Sequence, residues 1–184
     1  MDELIKEIEQ WSKVRKLDIA DPKTQALKVI KEFTEMVLAF NDYVTLKEYL
    51  EETSSHDVLA TLKNKTIDGI GDTYVALIIL CQQFDIKIEQ LGTNIKFISP
   101  VKIVKVLNQL STGVSRDNTK MNKVAIMNML GVTKHIAHRI DVDSFDCLRE
   151  TYKAIKDRKG MKSEGTFIKY DDLSDENKEM LNNA

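Results

Sequence analysis

The chain has 184 residues, which is enough for one domain with a sizeable core. Its hydrophobic fraction of 42% and charged fraction of 30% are those of an ordinary globular protein, while 7 Gly and 2 Pro are too few for the many turns of a β-sandwich. The formal net charge of −2 argues against a nucleic-acid-binding surface, and the longest apolar run, Val75 to Cys81, is too short to span a membrane.

This composition predicts an all-α protein whose partners are neither membranes nor nucleic acids, and apolar residues recur at helical spacing along most of the chain. The first predicted helix covers residues 2–16. The second begins after Asp21–Pro22 and runs from about 23 to 41, followed by a polar segment at 51–56. The remaining predicted helices cover about 57–64, 67–84, 100–110, 119–130 and 143–157.

Several boundaries follow from single residues. Thr66 is the predicted N-cap of the helix at 67–84, and residues 111–118 are predicted to form a loop. A short C-terminal strand or hairpin is predicted at residues 165–168. We therefore expect one helical domain over residues 1–168 and a polar tail over residues 169–184.

The two cysteines, Cys81 and Cys147, have neither the spacing of a metal site nor the number of a disulfide framework. We expect both to be buried structural thiols, as in a protein of the reducing cytoplasm. The acidic, amphipathic N-terminus does not resemble a signal peptide, which also favours a cytoplasmic location.

Two pairs of carboxylates have the spacing of neighbours on a helix. Glu32 and Glu35, with Lys28 four residues before Glu32, project from one flank of the second helix. Asp68 and Asp72 share a face beside the most apolar helix, where an unpaired carboxylate would lose hydration. A solvated face, or capping of a frayed helix end by the Asp pair, is the alternative. If the two helices are antiparallel, the carboxylates converge, and all-oxygen ligation suits Mg²⁺ or Mn²⁺.

Gly69 and Gly71 lie within one helical turn, where each costs about 1 kcal/mol relative to alanine. The pair therefore predicts that another backbone or a ligand approaches closely there. His135 and His138 are three residues apart but have no partner ligand in the sequence, so we expect a surface or capping role for them rather than a zinc site.

A basic segment ends the last predicted helix, with Lys156, Arg158 and Lys159 close together. Cations in this position complement the helix macrodipole. Arginine and lysine could equally clamp a triphosphate, with arginine making bidentate contacts. Both interpretations stay open at this point.

Three stretches together resemble the MazG-like all-α nucleoside-triphosphate pyrophosphohydrolases, most closely their phage and prophage members. The stretches are Gln25-x-x-Lys28-x-x-x-Glu32-x-x-Glu35, Asp68-Gly69-Ile70-Gly71-Asp72 and Tyr152 to Gly160, with Trp11 similar to the tryptophan of the family's opening helix. Residues 85–145 have no counterpart and are expected to form an enlarged helical insertion in this helical bundle.

The resemblance implies a hydrolase that uses Mg²⁺, with Mn²⁺ as a substitute, to split an NTP or dNTP into a nucleoside monophosphate and pyrophosphate. It also implies a homodimer or higher homo-oligomer in the cytoplasm, which is that of a bacterial host if the protein is phage-encoded. It assigns catalysis to Glu32 and Glu35, and metal binding to these two together with Asp68 and Asp72. The implied substrate-binding residues are Lys28, Lys156, Arg158, Gln25 and Trp11.

Two positions depart from the family pattern. Lys31 stands where relatives commonly have a second glutamate, and Gly69 stands where the second motif usually has an acid. The alternative function is therefore a catalytically degenerate bundle that binds a nucleotide or a protein without turnover. An interaction protein that makes its contacts through residues 85–145 is a further form of this alternative.

Overall fold

The fold is known from a computed structural model that describes residues 2–49, 56–92, 99–158, 160–163, 166–169, 174–175 and 177–178. These residues form six α-helices, one short 3₁₀ helix at Ile88–Gln90 and a two-stranded hairpin. The α-helices are α1 (Asp2–Val14), α2 (Pro22–Tyr49), α3 (His56–Gln83), α4 (Pro100–Ser115), α5 (Thr119–Arg139) and α6 (Ser144–Lys156). The prediction of an all-α bundle is confirmed at this level.

The centre of the bundle is the antiparallel pair of long helices α2 and α3. The Gln25 side chain, near the start of α2, donates a hydrogen bond of 2.9 Å to the carbonyl of Ala76 near the end of α3. Further along α2, Met36 accepts a contact of 3.9 Å from the Thr73 hydroxyl. Helix α3 is buried on all sides over residues 73–81, because α1, α5 and α6 cover the surface that α2 leaves open.

Helix α3 is continuous, whereas the sequence predicted two helices separated near residue 65. The prediction that Thr66 caps a helix start is wrong, because Thr66 lies inside α3 and its hydroxyl donates to the carbonyl of Leu62 at 2.9 Å. Back-bonding to the preceding turn satisfies a threonine hydroxyl within a helix, so no break is needed. Asp68 and Asp72 are therefore interior residues of a long helix, and they do not cap a frayed end.

Three other helices are longer than predicted. Helix α2 ends at Tyr49, whereas its predicted end was near residue 41. Helix α4 continues to Ser115, so the predicted loop at 111–118 is reduced to the residues that precede Thr119. Gly113 lies inside the extension, where its missing side chain leaves room for Asn122 of α5. Helix α5 ends at Arg139, nine residues beyond its predicted end, because Val132 and Ile136 continue the buried face.

The C-terminal hairpin pairs β1 (Gly160–Ser163) with β2 (Thr166–Lys169) in antiparallel register. This agrees with the strand or hairpin predicted near residues 165–168.

Two predicted polar segments lie mostly outside the described residues. They are the segment at 51–56 and the tail at 169–184. No helix in the described part of the chain is long and apolar enough to cross a membrane. Cys81 and Cys147 are buried free thiols, as predicted.

Candidate active site

A pocket of about 290 Å³ opens between α1, α2, α3 and the end of α6. It brings together most of the residues that the sequence selected. Its polar and aromatic lining comprises Trp11, Lys28, Lys31, Glu32, Glu35, Asp72 and Arg158. We call it the carboxylate pocket. A larger cavity of about 700 Å³ lies elsewhere, near α1 and residues 85–89, and contains none of the predicted site residues.

The contribution of α2 follows directly from its periodicity. Lys28, Glu32 and Glu35 lie on one flank because they are four and three residues apart. Each of them immediately precedes a buried residue that packs into the core, so the flank stands at the edge of the contact with α3. The three buried neighbours are Val29, Phe33 and Met36.

The contribution of α3 depends on its two glycines. A Cβ atom at Gly69 would lie 2.9 Å from the Cβ atom of Met36 in α2, and one at Gly71 would lie 2.7 Å from the carbonyl oxygen of Cys147 in α6 and overlap the Thr151 hydroxyl. Both distances are too short for real atoms. The prediction of a close approach by another backbone is therefore confirmed, and this approach lets α2 and α6 flank Asp72.

Asp68 does not join the other carboxylates in this pocket. It lines an adjacent cleft of about 300 Å³ with Glu150. The two cavities share Asp72, Ile155 and Arg158, which form the wall between them. The expected convergence of four carboxylates is thus corrected to three in one pocket and Asp68 next to it.

The surroundings of Asp72 shift its ionisation. Its pKa is raised, first because the surrounding helices desolvate it and second because the Glu32 carboxylate is nearby. Asp68 raises the pKa further, whereas the cations Lys28 and Arg158 lower it. Asp72 retains solvent exposure at the pocket mouth. The pocket therefore combines three carboxylates with three cations, and burial makes ionisation of Asp72 less favourable.

Lys31 forms ion pairs with two of these carboxylates. Its Nζ atom is 3.4 Å from Oε1 of Glu32 and 3.1 Å from Oε2 of Glu35. The hydrogen bond to Glu35 is the main reason that the pKa of Lys31 is raised. The sequence marked Lys31 only as a departure from the family pattern, although its spacing from Glu35 already indicates an ion pair across one helical turn.

Arg15 is a residue of the site region that the sequence analysis missed. Its guanidinium donates hydrogen bonds of 3.1 Å to the carbonyls of Lys156 and Arg158, at the end of α6. The same guanidinium lies 4.5 Å from the centre of the Trp11 ring. Arg15 thereby connects α1 to the segment that carries Arg158. Its position four residues after Trp11 was the available signal.

Two predicted substrate-binding residues lie outside the carboxylate pocket. The Gln25 side chain is buried and engaged with the Ala76 carbonyl, where it joins α2 to α3. Lys156 is exposed beside the pocket, with its carbonyl bound by Arg15. Lys159, the third cation of the basic segment, lies outside the described residues.

The donor chemistry of the pocket fits a hard divalent cation. Among the described residues, no three His, Cys, Asp or Glu side chains stand close enough to hold a metal ion by themselves. Mg²⁺ is nevertheless usually bound by one or two carboxylates, together with waters and substrate phosphates, and does not need an all-protein cage. Glu32 lies near enough to Asp72 to raise its pKa, so these two carboxylates are the oxygen donors that fit best. His135 and His138 lie on α5, away from this pocket.

The kind of ligand that the pocket can bind follows from its lining. Carboxylates, cations and one indole in a single cavity can bind a polyanion that carries a metal ion and an aromatic group.

No protein-family model, no curated protein and no solved structure matches the chain.

Proposed function

We propose that this protein is a nucleoside-triphosphate pyrophosphohydrolase of the MazG-like type, which converts an NTP or dNTP and water into a nucleoside monophosphate and pyrophosphate with Mg²⁺ or Mn²⁺. The observation that carries the proposal is the meeting of Glu32, Glu35 and Asp72 with Lys28 and Arg158 in one pocket. The spacing motifs that resemble the family supply these same residues. An antiparallel α2–α3 pair within a helical bundle is consistent with this assignment.

In this proposal a water oxygen attacks the α-phosphorus, and the bond from that phosphorus to the oxygen bridging to the β-phosphorus breaks. When bound, the divalent metal would neutralise phosphate charge and lower the pKa of a bound water. Glu35 accepts the proton of the attacking water as general base. Glu32 and Asp72 would hold the metal, and the Asp68 carboxylate in the adjacent cleft adds negative charge near Asp72.

The cations of the pocket act on the leaving group. Lys28 and Arg158 neutralise the charge that develops on pyrophosphate, which is an electrostatic contribution made in a partly desolvated cavity. Lys156 assists from the exposed end of α6. Trp11 offers an aromatic face to the base, against the apolar wall that Val75 and Ile155 contribute.

The location and assembly of the enzyme are part of the same proposal. Two buried free thiols suit a reducing cytoplasm. Assembly into a homodimer or higher homo-oligomer follows the resemblance, and the exposed apolar side chains Leu27 and Leu38 on α2 are available for such a contact. Light scattering coupled to size exclusion would measure the subunit number.

One observation favours the alternative of a degenerate bundle. The ion pairs of Lys31 occupy Glu32 and Glu35, the two residues assigned to catalysis. Such a protein would bind nucleotides or a partner protein without turnover. Nucleotide binding without any product would therefore decide for this alternative.

The test is incubation of the purified protein with a panel of NTPs and dNTPs in Mg²⁺, Mn²⁺ or EDTA, followed by chromatographic separation of the products. We expect metal-dependent formation of monophosphate and pyrophosphate. Glu35→Gln should lower kcat by about 10²-fold or more, because it removes the general base. Glu48→Gln, an exposed position on the same helix, is the matched control and should keep full activity. Equal activity of Glu35→Gln and the control would contradict the assignment.

A further inference from the structure

Lys31 is placed by helix geometry to serve both glutamates of α2. It precedes Glu32 directly and lies one turn before Glu35, so a single ammonium group spans the two carboxylates at 3.4 and 3.1 Å. All three side chains line the carboxylate pocket. A cation that pairs with both acids in the absence of metal is therefore part of the protein.

The exposure of the three side chains shows which of them can move. The Lys31 side chain is 62% exposed and that of Glu35 is 57% exposed, whereas Glu32 is only 14% exposed. An exposed ion pair contributes little to stability and exchanges readily with water. Lys31 can therefore leave, whereas the Glu32 carboxylate stays covered at the edge of the helix contact.

We propose that Lys31 is a tethered counter-ion that a divalent metal must displace from Glu32 and Glu35, and that it thereby sets the metal affinity of the pocket. This inference rests on the proposed function, because it takes Glu32 as a metal donor and Glu35 as the catalytic carboxylate beside it. Lys31 contacts Oε1 of Glu32 and Oε2 of Glu35, so these two oxygens are not open to a metal while the ammonium stays in place. Two cations held a few ångströms apart also repel each other. Metal therefore binds weakly while Lys31 stays in place.

The charge of Lys31 can be removed without disturbing the core, because the side chain is exposed. Mn²⁺ alone is the probe, and the electron paramagnetic resonance signal of free Mn²⁺ measures its binding. Lys31→Met should bind Mn²⁺ about fivefold more tightly than the wild type, which is the size of effect expected from an exposed ion pair. Lys31→Arg keeps the charge and should stay near the wild type. Lys23→Met, an exposed position two turns earlier on α2, controls for net charge.

The outcomes separate this inference from the function on which it rests. Equal Mn²⁺ affinity of the wild type, Lys31→Met and Lys23→Met would overturn the counter-ion role, while a loss of binding in Glu32→Gln would still support the metal site. Absence of Mn²⁺ binding in the wild type and in Lys31→Met would overturn both. Binding in Lys31→Met alone would support the inference in its strongest form.

Amine labelling gives a second readout that does not depend on affinity. Acetylation by a soluble reagent, quantified by mass spectrometry, reports how freely each lysine amine is available. Mg²⁺ should increase the labelling of Lys31 because the metal releases it from the glutamates, while Lys23 should not change. Unchanged labelling of Lys31 at a Mg²⁺ concentration that saturates the site would contradict displacement.

Discussion

Asp72 shows how a single residue of the pocket connects stability with function. Desolvation and the nearby Glu32 raise its pKa, so its ionised form is less favourable in the folded protein than in the unfolded chain. The folded state therefore favours the protonated side chain. The stability that this protonated form allows is fully present below the unfolded pKa of about 3.9 and is lost as the pH rises through the raised folded pKa. A carboxylate held in this way is available to a cation.

Asp72→Asn should therefore stabilise the metal-free protein at neutral pH. The amide carries no charge to desolvate, so thermal unfolding in EDTA should give a higher Tm for the variant than for the wild type. The difference should shrink as the pH falls towards about 3.9, where the wild-type carboxyl becomes protonated in both states. Asp42→Asn, on the exposed side of α2, provides the control. A lower Tm for Asp72→Asn at neutral pH would show that the interpretation of this carboxylate is wrong.

At the scale of elements, the pocket depends on how closely α3 approaches its neighbours. Gly71 packs against the backbone of α6 at Cys147, and Gly69 packs against Met36 of α2. Side chains at these positions would push the helices apart. The result would be a wider separation of Asp72 from Glu32 and from Arg158, so the packing that forms the fold also forms the site.

Gly71→Ala tests this close approach. In an unobstructed helix the change would stabilise by about 1 kcal/mol, because alanine is the better helix former. Here the added methyl group meets the Cys147 carbonyl and the Thr151 hydroxyl, so we expect a net loss of about 1–3 kcal/mol from overpacking. Urea denaturation measures the free energy of unfolding. Gly92→Ala should show no such loss, because, among the described residues beyond its chain neighbours, no atom lies within 4 Å of the new Cβ. Stabilisation by Gly71→Ala would refute the packing argument.

The helices also show what the sequence could and could not predict. Lys28, Glu32 and Glu35 were predicted correctly as one flank because helical spacing is a local property. The position of Asp68 in a separate cleft was not predictable, since it depends on where α6 packs against α3. The spacing of Arg15 from Trp11 indicated a contact within α1, but its hydrogen-bond partners are 141 and 143 residues away in sequence and were not predictable. The break predicted near Thr66 failed because a single capping residue cannot outweigh continuous packing.

At the scale of the whole molecule, the carboxylate pocket requires four helices that are distant in sequence. Helix α1 provides Trp11, α2 the glutamates, α3 Asp72, and the segment after α6 provides Arg158. Hydrogen bonds from Arg15 join α1 to the end of α6 and the segment that follows it. Helices α4 and α5, within the predicted insertion at 85–145, pack on α2 and α3 and contribute no lining residue. They therefore pack against the central pair away from the pocket.

The most direct test of the central claim is hydrolysis of the preferred nucleotide in ¹⁸O-labelled water with Mg²⁺, followed by mass spectrometry of the products. Attack at the α-phosphorus places the label in the nucleoside monophosphate and leaves pyrophosphate unlabelled, which is the result we predict. A nucleoside diphosphate with labelled orthophosphate would contradict the proposed bond, and label in pyrophosphate would contradict the proposed site of attack.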